Sequence, residues 1–188
     1  MIDAANITNY NLSDFELEAR MIFWVLAAGK NGTRAAEATN NMVNFWQNFG
    51  MEVTPFDAIM HYNIKQLADF LHFNKTGCHN LKARTLYQLA NAKIDLRNCS
   101  AEDLESIYGI GMKTARCFLI HSRANAQYAA LDTHMLKHLK SLDYDVPKST
   151  PTRKKYLTLE KEVLYLAEQS GKSPACYDLE IWNKYKVV

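Results

Sequence analysis

Helix-start signals recur along this chain, and no segment alternates in the manner of a strand. Ser13 with Glu16 three residues on reads as a capping box, and Ser100 with Asp103 repeats the pattern. Thr54-Pro55, Thr150-Pro151 and Ser173-Pro174 each set an N-cap before a proline at the first helical position. Asn63 can cap another helix to about His72. Phe15, Ile22, Val25 and Leu26 form one apolar stripe, which Gly29 ends. A second helix is expected over about 33–49, stopped by Gly50, and Leu81, Thr85, Leu86 and Leu89 mark a later one. Asp143 to Thr150 reads as a linker around Pro147, and Gly171 separates the last two helices. With no internal repeat, the expectation is an all-α chain of about ten short helices.

A length of 188 residues fits one domain or two small lobes, and 48% hydrophobic residues can fill a core. A net charge of +2 demands no polyanionic partner. The distribution is more informative: nine Lys/Arg against twelve Asp/Glu through residue 111, then thirteen against eight. A basic C-terminal part suits a phosphate backbone. Solvated helix faces would explain clusters such as Arg153-Lys154-Lys155 equally simply. Cys78, Cys99, Cys117 and Cys176 match neither a zinc pattern nor a disulfide framework, and are expected as reduced thiols, mostly in the core. The N-terminus lacks a basic segment followed by an apolar run, and Met21 to Ala28 is too short to span a bilayer. The expectation is a soluble intracellular protein. His134 and His138 are spaced i, i+4 beside Asp132, but no third ligand cluster accompanies them, so they read as core or surface histidines and no metal is expected.

The stretch from Ala101 to His134 carries the chemistry. Tyr108-Gly109-Ile110-Gly111 forms a Gly-x-Gly turn between two helical patterns, the second starting at about Met112. Glycines allow backbone N–H groups to approach a ligand closely, and the helix N-terminus that follows is an anion site. Lys113 falls in the first turn of that helix, and Asp132, Thr133 and His134 open the next one.

The segment from Ile107 to Ala115, with Gly109, Gly111 and Lys113, followed by Leu131-Asp132-Thr133-His134, resembles the helix-hairpin-helix motif of the HhH-GPD superfamily of DNA glycosylases. One departure is Ile107-Tyr108, where that family carries Leu-Pro. The resemblance implies two helical lobes flanking a DNA cleft with the hairpin, residues 101–123, at its mouth. Residues 31–123 would form one lobe, and 1–30 with 124–188 the other, in a single glycosylase domain. The close run of four cysteines that holds an iron–sulfur cluster in several members is missing, so no cofactor is implied. Compact 8-oxoguanine glycosylases without a cluster are the most similar group. Double-stranded DNA containing a damaged base is the implied partner, met by a monomer in the cytoplasm, at the nucleoid, or in another intracellular DNA compartment.

By this resemblance Lys113 is the nucleophile of a bifunctional glycosylase/AP lyase. A lysine amine can attack C1′ and form a Schiff base that allows β-elimination. The helix dipole and burial are expected to favour its neutral form. Asp132 would stabilise the oxocarbenium-like transition state. The plainer alternatives are a phosphate-contacting lysine and an N-cap aspartate. Gly109, Gly111, Thr114 and Lys75 are expected on the DNA backbone, the last in a polar loop over residues 72–79 that could equally be solvated. Lys30 and Asn31 lie in the loop where relatives contact the gap left by an extruded base, although both also suit an ordinary turn. Asp178 and Trp182 resemble a pocket-walling Asp-Leu-x-x-Trp segment, with Trp182 equally suited to core packing. Rival readings are an oxidised-pyrimidine glycosylase of the endonuclease III type, a monofunctional glycosylase using water, and a non-catalytic DNA-binding module.

Overall fold

The computed structural model describes residues 1–48, 54–148 and 150–186, and all regular structure among them is helical. A 3-10 turn at Ala4–Asn6 precedes α1 (Asp14–Ala27), α2 (Gly32–Asn48), α3 (Pro55–Met60), α4 (Ile64–Phe73) and α5 (His79–Asn91). The remainder are α6 (Ala101–Glu105), α7 (Met112–Ser122), α8 (Thr133–Ser141), α9 (Arg153–Gln169) and α10 (Pro174–Tyr185). The expected helix end at Phe49 and Gly50 lies outside the described residues.

The caps explain most of these boundaries. The Ser13 hydroxyl accepts the Glu16 N–H, and the Glu16 carboxylate accepts the Ser13 N–H at 2.8 Å. Ser100 and Asp103 repeat this at α6, as do Asn63 and Gln66 at α4. The start expected at Thr150-Pro151 is displaced. Thr152 caps α9, taking the Lys155 N–H on its side chain and the Tyr156 N–H on its carbonyl, while Thr150 and Pro151 line a cleft. Leu81 also departs from expectation: it is 46% exposed, and the inward face of α5 runs through Lys82, Ala83, Leu86 and Leu89. Only Cys99 and Cys117 are core thiols; Cys78 and Cys176 are exposed.

Burial divides into two apolar clusters. The larger is built around α1, where every residue from Met21 to Ala27 is buried. A helix apolar on all sides needs neighbours on all sides; α2, α3, α5 and α7 supply them. Ile7 and Leu12 join this same cluster, so the first thirty residues pack with the lobe expected over 31–123. The smaller cluster gathers Leu131, Met135 and Leu139 with residues of α9 and α10, among them Leu159, Val163 and Ile181.

One buried polar network joins the two clusters. Arg116 on α7 is 1% exposed and donates through Nε to Glu160 Oε1 at 2.7 Å; a second guanidinium nitrogen pairs with Glu105. The same Glu160 oxygen accepts the Ala129 N–H at 3.0 Å. The Tyr156 hydroxyl accepts the Leu131 N–H and donates to the Ala129 carbonyl, both at 3.0 Å. Buried backbone groups need such partners. Here α9 supplies them to an irregular segment and thereby fixes where Asp132 emerges.

Candidate active site

A cleft of about 910 Å³ opens where the two clusters meet. Lys113, Asp132, Asp178, Trp182, Lys30 and Asn31 all line it, so these six expected site residues share one cavity. They come from α7, the α8 cap, α10 and the α1–α2 loop. Thr114 also lies on its wall, but as a buried side chain rather than an exposed contact. Gly109 and Gly111 sit outside the cleft in the turn before α7. Lys75 lies apart, in a second cavity beside Arg34.

Asp132 caps α8, its Oδ1 accepting the Met135 N–H at 2.7 Å, while Oδ2 takes no hydrogen bond among the described residues. The carboxylate therefore performs the structural role and still faces the cleft. Burial raises its pKa, and the neighbouring Asp178 raises it further, against the Met135 N–H and Lys113, which lower it.

The Lys113 amine lies 5.3 Å from the centre of the Trp24 ring. Its ionisation departs from expectation. Burial pushes the pKa down, but Cys117, Asp132 and Asp178 act the other way, and the balance is raised. The helix dipole and desolvation are outweighed because carboxylates from two other helices converge on the amine. Burial pushes the Cys117 thiol up to about 12, so it is a neutral neighbour at physiological pH. The lasting cause of Lys113's hold on its proton is thus the pair of acids.

Three members of this site escape a reading of the sequence alone. Trp24, Cys117 and His121 all line the cleft. His121 stacks on Trp24 with ring centres 5.4 Å apart and planes at 15°. Its Nδ1 meets the Thr8 hydroxyl at 2.7 Å and its Nε2 meets Asp178 at 3.1 Å. Asp178 is held in place from below. A signal for two of these residues was present: Lys113, Cys117 and His121 fall at i, i+4 and i+8, one face of α7. Trp24 gave none, because its helix is apolar all round.

The α1–α2 loop is also braced. Lys82 is buried, donating to the Leu26 carbonyl at 2.7 Å and the Thr76 carbonyl at 2.9 Å, and burial pushes its pKa down to about 8. It ties the end of α1 to the 74–78 loop. Lys30 lies across Gly77, where a Cβ would meet its Cε at 2.2 Å. Asn31 spends its side-chain oxygen on the Thr33 N–H at 2.9 Å, opening α2. At the end of α4, just before the 74–78 loop, Phe73 is 81% exposed beside Lys75, an aromatic that helix periodicity alone would bury. Among the described residues no group of three acidic, histidine or cysteine side chains could hold a metal ion, and no helix is long and apolar enough to cross a membrane.

A family model described as 8-oxoguanine DNA glycosylase (Ogg-HhH) matches residues 9–172. The 8-oxoguanine DNA glycosylase/AP lyase of Thermotoga sp. (strain RQ2) is 38% identical over 139 residues, covering 68% of this chain and 65% of the relative. The enzyme of the same name from Thermoplasma acidophilum is 29% identical over 135 residues, covering 67% and 65%. The chain thus matches slightly under two thirds of the length of these curated relatives. The fold is similar to the crystal structure of the 8-oxoguanine DNA glycosylase of Thermotoga maritima, with TM-score 0.71, 24% identity, and 93% and 81% of the two chains covered. It is equally similar to the Methanocaldococcus jannaschii 8-oxoguanine glycosylase/lyase in complex with a 15mer DNA containing 8-oxoguanine, with TM-score 0.71, 22% identity, and 95% and 85% covered. With a lysine and an aspartate brought to one cleft behind a hairpin turn and the family model spanning most of its length, this chain belongs to the Ogg-HhH family of 8-oxoguanine DNA glycosylases.

Proposed function

We propose that this chain is a DNA glycosylase with AP-lyase activity that excises 8-oxoguanine from double-stranded DNA, acting as a monomer. The observation that carries the reading is the convergence of Lys113 and Asp132 in one cleft directly behind the Gly109–Gly111 turn. A base inside a duplex hides its glycosidic bond, so the nucleotide must leave the stack. The cleft has room for it, with Asp178 and Trp182 as walls. Lys30 and Asn31 face the gap it leaves. Gly109, Gly111 and the first turn of α7 at Thr114 hold a phosphate by backbone N–H groups, and Lys75 meets the strand from the other rim.

Lys113 reaches the sugar as an ammonium and must lose a proton before it attacks. Asp132 and Asp178 are the nearby acceptors. The neutral amine then forms its bond to C1′ as the bond to the base breaks, and the base leaves with the electron pair and takes up a proton. The Asp132 carboxylate lowers the energy of the positive charge that develops on the sugar. Ring opening gives the imine. Loss of a 2′ proton then expels the 3′ phosphate and nicks the strand.

A panel of lesion duplexes, scored separately for base release and strand nicking, tests the assignment. Release and nicking together, strongest on 8-oxoguanine, are expected. Release without nicking would point to water as the nucleophile, a preference for oxidised pyrimidines would move the substrate, and no release would leave only a DNA-binding module.

The electrostatics give a pH prediction. Asp178 raises the pKa of Lys113 by attraction and that of Asp132 by repulsion. Asp178→Asn therefore lowers both. On a duplex with a preformed abasic site, the single-turnover rate of the variant should reach its plateau at lower pH than the wild type. An unchanged profile would remove Asp178 from the circuit.

A further inference from the structure

The hairpin turn rests on α5 at three consecutive contact points. A Cβ at Gly109, whose φ is +84°, would meet Thr85 Oγ1 at 2.2 Å, so the turn and the helix are in direct contact. The Tyr108 N–H donates to Gln88 Oε1 at 3.3 Å. The Arg84 guanidinium lies over the Tyr108 ring, 3.9 Å from its centre. Residues 84, 85 and 88 form one face of α5, and that face carries the turn.

Arg84 and Tyr108 are both exposed, Tyr108 by 44%. Arg84 has no ion pair and no hydrogen bond among the described residues. Stacking on an aromatic face orients a guanidinium without using its N–H edge. All five donors therefore stay free. Next to them, α7 begins with Gly111 as an N-cap that lacks a side-chain acceptor, in open space. Its first N–H groups are free as well.

We infer that Arg84, held flat on Tyr108, is a second phosphate contact that extends the hairpin's grip on the DNA strand onto α5. This inference rests on the proposed action on DNA. It also gives Tyr108 a purpose at the position where the resembled motif carries proline. A proline ring there would leave the guanidinium without a flat platform and would remove the N–H that Gln88 accepts.

The test uses the intact chain and an undamaged duplex. Each neutralised phosphate contributes about 0.9 to the slope of log affinity against log salt, so the wild-type affinity should fall about 3.5-fold more than that of Arg84→Ala between roughly 50 and 200 mM salt. Equal losses would overturn the inference. Tyr108→Phe should bind as the wild type does, while Tyr108→Leu should bind more weakly although no charge has been removed. If Tyr108→Leu bound as tightly as Tyr108→Phe, the ring would not be the platform. The readout needs no base chemistry. A failure of base release would therefore leave this result intact, and a salt slope unaffected by Arg84→Ala would leave the glycosylase reading standing.

Discussion

Lys113→Gln should abolish borohydride trapping on an 8-oxoguanine duplex, with yields falling to background. Removing a covalent nucleophile elsewhere costs on the order of 10⁶ in rate. Asp132→Asn is its informative companion. Asparagine caps a helix about as well as aspartate, so the Oδ1 bond to the Met135 N–H survives and α8 stays in place. The negative charge beside the sugar does not. The rate should fall by about 10²–10³, the range for losing one electrostatic stabiliser of a transition state, while the melting temperature moves little. A variant that folded and trapped at wild-type rate would reduce Asp132 to a cap.

The largest stability loss is expected at Arg116→Met. The substitution strands Glu160, whose side chain is 9% exposed, and leaves Glu105, at 11%, with only its ion pair to the half-exposed Arg153. Breaking a buried pair by removing one partner costs about 3–5 kcal/mol, roughly a fifth or more of the stability of a typical domain. Denaturant titration should show the midpoint shifted at constant slope. Glu160→Gln should be milder, since the amide oxygen can still accept the Ala129 N–H. Both variants loosen the segment that delivers Asp132, so excision should fall further than stability alone accounts for. A loss under about 1 kcal/mol at Arg116→Met would show that the network does not hold the two clusters together.

Local chemistry was the legible part of this sequence. Ser13, Asn63, Ser100 and Ser173 announce their helices because a cap involves residues only three apart. The Gly-x-Gly turn, Lys113 and Asp132 stand out for the same reason. The frame that aligns them does not. Arg116 and Glu160 are 44 residues apart, and His121 and Asp178 are 57 apart. No periodicity links such partners. The same distance misled the reading of Lys113: its dipole and burial are local, but the acids that outweigh them arrive from α8 and α10. Thr150 and Thr152 show a finer limit, since two threonines flanking one proline offer competing caps and only packing decides between them.

The central claim is that one amine, Lys113, bonds to the sugar carbon. Peptide mapping of the borohydride-trapped adduct by mass spectrometry tests it most directly. The nucleotide mass should sit on the peptide that contains Lys113. An adduct on Lys30, which lines the same cleft, or on the N-terminal amine would contradict the account.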